Sequence, residues 1–223
     1  MKKERIVSKK TLIPVVLLSA AGLMQLHAQD FNKFAFNIGG GINTPLNPTA
    51  NYVGLGGNFA AGAGYNINKK NTIFAEFQWN GLPPNTILHL PNAPFGSVNL
   101  YSITTNYRHS VKFGHSPFGG YVVAGGGWYY RFASIDKTYT VIPGTPCLPI
   151  YFWWGFGCET DFTVTQTIAS KGTSAGGINA GVGMTIRLSD KGWKFYVESR
   201  YNYAWSNRIP TTFIPVTFGF RFN

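Results

Sequence analysis

The chain has 223 residues, enough for one domain, with 44% hydrophobic, 16% aromatic and only 12% charged residues and 27 glycines. Water-soluble domains carry about 25% charged residues; few charges with many glycines and aromatics suit a narrow barrel with lipid outside, and a soluble lipocalin-like barrel is the alternative at this level. The net charge of +11 is scattered, with no Lys/Arg run in the body of the chain longer than Lys69-Lys70, which argues against nucleic acid as a partner and for an acidic lipid or lipopolysaccharide surface.

The N-terminus places Lys2, Lys3, Arg5, Lys9 and Lys10 against Glu4, then an apolar run over 12–24, then Leu26-His27-Ala28. Basic, apolar and small, in that order, predict a secretory signal peptide over 1–28, cut between Ala28 and Gln29. An uncleaved anchor is the competing reading, but the apolar run is shorter than the ~20 residues a spanning helix needs. The remaining domain, 29–223, keeps 14 basic and 7 acidic residues, a net charge of +7. Its apolar stretches are all broken within a few residues, so it can enter a membrane only as a closed barrel.

From residue 33 onward the sequence period is two. Phe34, Phe36, Ile38 and Ile42 alternate with Lys33, Asn37, Gly39 and Asn43; Phe59 to Ile67 alternate with Asn58, Gly62, Gly64 and Asn66. Ile73, Phe77 and Trp79 oppose Thr72, Glu76, Gln78 and Asn80, and Tyr101, Ile103 and Tyr107 oppose Ser102, Thr104, Asn106 and Arg108. A fifth segment sets Val122, Ala124, Trp128, Tyr130 and Phe132 against Tyr121, Gly125, Gly127, Tyr129 and Arg131. The sixth runs from Ile178 to Leu188 with Asn179, Gly181, Gly183, Thr185 and Arg187 on its second face. The seventh sets Trp193, Phe195, Val197 and Tyr201 against Lys194, Tyr196, Glu198, Arg200 and Asn202, and the eighth sets Ile214 to Phe222 against Pro215, Thr217, Gly219 and Arg221. Such alternation predicts eight strands, each with two unlike faces. Pro215 lacks a ladder donor and predicts a bulge.

Connections alternate in length. Asn68-Lys69-Lys70-Asn71, Gly114-His115-Ser116-Pro117 and Ser189-Asp190-Lys191-Gly192 are tight polar turns, and 44–53, 82–96, 134–172 and 206–211 are long links. Three short turns and four long links put both termini at the short-turn end, the pattern of transmembrane barrels with periplasmic turns and extracellular loops. Aromatics on the apolar face fall into two belts, Phe34, Tyr65, Tyr107, Trp193, Phe195, Phe220 and Phe222 at the short-turn end and Trp79, Tyr101, Trp128, Tyr130, Tyr201 and Tyr203 at the other. The second face holds Glu76, Arg108, Arg131, Arg187, Lys194, Glu198, Arg200 and Arg221. An eight-stranded barrel is filled by its own side chains, so these charges must pair. Glu76 and Glu198 are expected to bind cations such as Arg200 and Arg108, closing the lumen.

The closing segment, Glu198-Ser-Arg-Tyr201 followed by Pro215-Val-Thr-Phe-Gly-Phe-Arg-Phe222, resembles the outer membrane β-barrel domain family, which is OmpA-like. Gly64-Tyr65 before a polar turn and Phe118-Gly-Gly-Tyr-Val-Val-Ala-Gly-Gly-Gly127 after one are similar to it too. The resemblance spans essentially 29–223 and implies an all-β, antiparallel, up-and-down eight-stranded barrel in the outer membrane of a Gram-negative-type bacterium. It also implies that the last strand, through Phe218, Phe220 and Phe222, is read by the barrel-assembly machinery. The family's peptidoglycan-binding domain has no counterpart after the eighth strand.

Function is expected in the loops. Cys147 and Cys158 share the longest link, and export permits a disulfide between them, with metal binding the weaker alternative. The same link carries Tyr151, Phe152, Trp153, Trp154 and Phe156. A patch this apolar reads as an adhesive contact surface or as a segment folded over the mouth or into the outer leaflet. His109-Ser110 and His115-Ser116 are poor nucleophile and base pairs, because adjacent strand residues point to opposite faces. The reading is thus a monomeric, non-catalytic barrel without cofactor, metal or catalytic residues, in a structural or surface-interaction role. A lipid A-modifying enzyme and a narrow pore are the alternatives.

Overall fold

A computed structural model describes residues 32–85, 95–114, 116–141, 149–152, 155–158, 162–189, 192–206 and 209–222. Over 137–141, 149–152, 155–158 and 162–165, and at residue 95, it describes the backbone alone. Ten strands are present: β1 (Phe34–Pro45), β2 (Gly56–Asn66), β3 (Asn71–Leu82), β4 (Phe95–Lys112), β5 (Phe118–Val141), β6 (Pro149–Phe152), β7 (Gly155–Cys158), β8 (Phe162–Arg187), β9 (Trp193–Ala204) and β10 (Thr211–Phe222). Eight close into a barrel in the order β1-β10-β9-β8-β5-β4-β3-β2, every neighbour antiparallel. β6 and β7 form a separate hairpin within the connection from β5 to β8.

Closure follows from strands that each carry one apolar and one polar face, and the faces are inverted relative to a soluble protein. Every barrel strand exposes large apolar groups, among them Ile38, Phe59, Ile73, Phe77, Ile103, Val122, Trp128, Val182, Met184, Tyr201, Phe218 and Phe220. Asn37, Asn58, Asn80, Glu76, Asn106, Arg108, Asn202, Glu198, Arg200 and Arg221 are buried inside. An apolar band that encircles the molecule has no counterpart among soluble monomers. Closed strands leave no unpaired edge in that band, so lipid can cover it without orphaning backbone groups. No described helix is long and apolar enough to cross a membrane; the strands do so.

The aromatics at each end touch one another on the outside. Phe34 meets Tyr65 edge to face at 6.0 Å and Trp193 meets Phe222 at 4.3 Å. At the opposite end Trp128 stacks on Tyr130 at 5.6 Å, and Tyr130 neighbours Tyr101 at 6.5 Å. The short turns are built from local chemistry: Asn68 Oδ1 accepts from the backbone N–H groups of Lys70 and Asn71 at 2.9 Å each. Gly114 and Gly192 adopt φ of 59° and 93°, where a side chain would be strained.

Three details differ from the sequence reading. The 134–172 link is largely strand, because β5 continues to Val141 and β8 begins at Phe162, paired throughout with a register shift at Ile135/Asp136. Residues 166–171 are exposed on both faces, so no buried face imprints a period of two, although Thr167 and Ile168 favour strand there. The 82–96 link is likewise shorter, since β4 begins at Phe95. Finally, Pro215 makes no bulge: Asn43 pairs with Pro215 in unbroken register on one side. On the other, the β9 pairing skips Ile214 and Pro215 and resumes at Val216 with equal spacing. The missing donor is absorbed by a gap in the ladder instead of an extra residue.

Candidate functional site

Two regions concentrate unusual structure: the charged lumen and a sheet that projects from the long-loop end. The lumen is organised by five strands whose inward residues meet across the barrel. Arg200 on β9 donates to both oxygens of Glu76 on β3, Nη1 to Oε1 at 2.7 Å and Nη2 to Oε2 at 3.1 Å. Its Nε also pairs with Glu198, two residues earlier on the same face. Asn37 Nδ2 donates to Glu76 Oε2 at 2.8 Å. Arg221 on β10 approaches Glu198 Oε2 at 3.8 Å and donates to the Tyr121 hydroxyl at 3.2 Å. A bidentate guanidinium–carboxylate pair fixes both partners, and burial removes the water that would screen it.

Space in the lumen is divided between tyrosines and glycines. Tyr121, Tyr129 and Tyr196 are all buried, and each lies over a glycine. A Cβ on Gly177 would fall 2.6 Å from the Tyr129 ring, and one on Gly39 would fall 2.6 Å from the Tyr196 hydroxyl. Tyr129 also donates to Asn202 Oδ1 at 3.0 Å and packs with Leu100, Ala204 and Phe213 into a small apolar plug toward the long-loop end.

Of the charges expected in the lumen, Glu76, Glu198, Arg200, Arg221 and Arg108 are brought together. Arg108 engages through aromatic faces, 4.9 Å from the Phe74 centroid and 5.8 Å from that of Tyr121. Arg131 stands apart at the opposite mouth, between Leu100 and Thr173. Arg187 is exposed at the short-turn rim, cross-strand from Lys194. The lumen tyrosines and Phe74 were not singled out from sequence as site residues. Their signal was a bulky aromatic on the polar parity of a strand, as Phe74 between Thr72 and Glu76.

The projecting sheet consists of β4, β5 and β8. β9 ends at Ala204 opposite Gly177, its side closing with the Trp205 N–H donating to the Gly176 carbonyl at 2.8 Å. Among the described residues, 162–175 of β8 pairs with β5 on one side and with no strand on the other. The unpaired stretch amounts to roughly 45 Å of strand at the usual rise. Its base is tied by hydroxyls: Ser97 Oγ and Ser134 Oγ lie 2.9 Å apart, and Thr167 donates to Asp136 Oδ1 at 2.7 Å.

Cys147, Trp153 and Trp154 lie outside the described residues, and for Tyr151, Phe152, Phe156 and Cys158 the backbone alone places them in the β6–β7 hairpin. Phe218 and Phe220 face outward on the closing strand β10, with Phe222 at its end. His109 Nδ1 lies 2.6 Å from Asn71 Oδ1, on the outer surface near the Tyr107 hydroxyl that donates to the same oxygen at 2.8 Å. That arrangement occupies the imidazole with a side-chain amide, away from Ser110. His115 lies outside the described residues.

No protein-family model and no curated protein matches the chain. Among solved structures it is similar to Neisserial surface protein A, with a TM-score of 0.52 and 16% identity over 85% of this chain and 96% of that one. It is also similar to Ail of Yersinia pestis (TM-score 0.45, 12% identity, 85% and 99% covered). The N-terminal β-barrel domain of Pseudomonas aeruginosa OprF gives a TM-score of 0.42 at 10% identity, with 85% and 98% covered. The likeness to the Neisserial protein, joined to the closed strand order and the encircling apolar face, gives this chain the fold of the small eight-stranded outer-membrane β-barrels.

Proposed function

We propose that the chain is a non-catalytic, monomeric barrel of the Gram-negative outer membrane, exported on a signal peptide over 1–28, whose surface interactions are carried by the β4–β5–β8 sheet. The observation that carries this reading is the edge of β8 over 162–175, open among the described residues. A row of unpaired N–H and C=O groups is a template for an added strand, and proteins normally shorten, cover or charge such edges. Here the edge is long, rich in Thr and Ser, and carries Lys171 as its one cation. An extended segment of another chain fits it by main-chain pairing.

Membrane lipid with lipopolysaccharide is then the environment of the apolar band. Phe218, Phe220 and Phe222 supply the assembly signal on the closing strand. A Cys147–Cys158 disulfide would tether the hairpin, with Tyr151, Phe152, Trp153, Trp154 and Phe156 as a contact tip.

Residues in an antiparallel strand point N–H and C=O to the same side. The Gly176 carbonyl points toward β9, so Ser174 and Ser170 present their N–H groups to the free edge. Ser170→Pro and Ser174→Pro therefore remove edge donors without touching the β5 ladder. Whole-cell adhesion and autoaggregation, with surface level checked by heat-modifiable gel migration, are the readouts. Deleting 137–166 should abolish the adhesion the protein confers, and the two proline variants should reduce it severalfold. Unchanged adhesion after the deletion would sink the proposal.

A further inference from the structure

At the long-loop end, on the outside of the barrel, three aromatic rings are each laid over a glycine. A Cβ on Gly81 would fall 2.9 Å from the Trp79 indole, one on Gly176 would fall 3.6 Å from that of Trp205, and the hydroxyl end of Tyr130 covers Gly172. A glycine under a ring lets the ring lie down on the backbone with its other face turned away from the protein. Trp79 and Trp205 stay 36% and 52% exposed in that position. Trp79 is held by its Nε1, which donates to Asn99 Oδ1 at 2.9 Å. Tyr130 is held by Trp128, stacked on it at 5.6 Å from the membrane side.

From Asn99 a chain of polar side chains climbs the same face. Asn99 Nδ2 donates to Ser97 Oγ at 3.5 Å, and the Ser97 and Ser134 hydroxyls lie 2.9 Å apart across the β4–β5 pair. Asp136 accepts from Ser134 at 3.4 Å and from Thr167 at 2.7 Å. The outward residues of β5 therefore pass from Tyr130 and Phe132 to Ser134 and Asp136, rings first and polar groups above them. Tyr130 to Asp136 covers roughly 20 Å at the usual rise, the length of a short oligosaccharide.

The chemistry of this face selects its ligand. Strand parity puts Arg131 and Lys171 on the opposite face, so Asp136 is the one charged side chain among the described residues here, and an anion is disfavoured. A carboxylate has about four lone-pair sites, and Ser134 and Thr167 fill two of those on Asp136. The remaining sites, with the serine oxygens, call for hydroxyl donors. An aromatic face carries partial negative charge and attracts C–H groups. A neutral hexose offers both, a face of C–H groups and a rim of hydroxyls.

We propose that this outer face, from Trp79 and Tyr130 up to Asp136, binds the neutral oligosaccharide headgroup of a glycolipid in the leaflet around the barrel. Depth favours a glycolipid over a free glycan. Trp79 and Tyr130 belong to the aromatic belt at the membrane surface, so a sugar stacked on them is joined to chains that run down the apolar band. The first hexose lies on the rings, and those beyond it reach Ser97, Ser134 and Asp136. Because Asn99 and Trp128 already hold the rings in place, little side-chain freedom is lost on binding. The site shares with the adhesion reading the premise that this sheet makes surface contacts, but it uses the face of the sheet and not the β8 edge.

The test places the refolded full barrel in phosphatidylcholine nanodiscs that carry equal mole fractions of ceramide, glucosylceramide or a neutral trihexosylceramide, and counts retained lipid by native mass spectrometry. Retention should rise in that order, at least tenfold from ceramide to trihexosylceramide. Trp79→Leu and Tyr130→Leu should lower retention of both glycolipids severalfold. Asp136→Ala should lower trihexosylceramide to the glucosylceramide level and leave glucosylceramide unchanged, and Tyr65→Leu, in the opposite belt, should change neither. Equal retention of the three lipids, or wild-type retention of trihexosylceramide by Asp136→Ala, overturns the proposal. Retention that vanishes with EDTA also overturns it, because Asp136 would then act as a cation ligand. Asp136→Ala removes only surface hydrogen bonds, so it decides the matter even if Trp79→Leu fails to fold. Disc leaflets both carry the glycolipid, so failure here leaves the adhesion reading standing, and unchanged adhesion after deletion of 137–166 leaves this one standing.

Discussion

The barrel body and the sheet that rises from it are continuous along β5 and β8, yet they obey different rules. Within the body, Gly177 to Arg187 of β8 has neighbours on both sides, lipid on one face and packed polar groups on the other. Earlier in the same strand, 166–171 is exposed on both faces and, among the described residues, paired on one side only. The same backbone conformation is thus enforced in one place by burial and in the other chiefly by one ladder and β-branched side chains. Specificity can be varied in the second region at little cost to stability, which is why the long-loop end is the place to seek interactions.

The contrast can be broken most sharply in the lumen. Glu76→Ala leaves a buried, formerly bidentate guanidinium without its main partner. It should cost about 3–5 kcal/mol in urea-driven unfolding from detergent or lipid. Glu76→Leu combined with Arg200→Met should recover much of that loss. A double variant as unstable as Glu76→Ala alone would mean that shape, not charge pairing, sets the lumen's stability.

The outer face gives the next largest effect. Val182, 62% exposed midway along the spanning part of β8, should tolerate arginine poorly, with a loss of roughly 2–4 kcal/mol in lipid. Ile168→Arg on the projecting part of the same strand, 55% exposed, should be nearly silent, within about 0.5 kcal/mol. Equal costs at the two positions would place both in the same environment and erase the boundary drawn here.

Gly177→Ala drives a methyl group into the Tyr129 ring. Overpacking of this kind costs about 1–3 kcal/mol, and Tyr129→Leu should relieve it in a double-mutant cycle. An additive result would show that the glycine serves the backbone rather than the ring. A small effect is expected at the base of the sheet, where Thr167→Ala removes the exposed hydrogen bond to Asp136. Thermal unfolding should register less than about 1 kcal/mol.

Much of the body was legible because membrane barrels write their fold into a period of two. Phe34 to Ile42, Ile73 to Trp79 and Trp193 to Tyr201 each name their outward face, and the polar turn at Asn68-Lys69-Lys70-Asn71 names the end. The candidate sites were harder to read. Arg131 and Arg187 have the same parity as Arg200, yet Arg131 sits at the far mouth and Arg187 on the rim. Parity assigns a face but not a depth, and depth decides which charges meet.

The amino-acid sequence by itself determined the number of barrel strands, the lipid-facing residues, the two aromatic belts and the side on which the short turns lie. Each depends on neighbours within a few residues and on the contrast between lipid and a polar interior. Only the tertiary structure decided that Glu76 meets Arg200 across 124 positions of chain. It alone also set Tyr121 between two arginines and, among the described residues, left β8 with an open edge. Those outcomes depend on register, closure and relative strand length, which are properties of the whole barrel and leave no local periodicity to read.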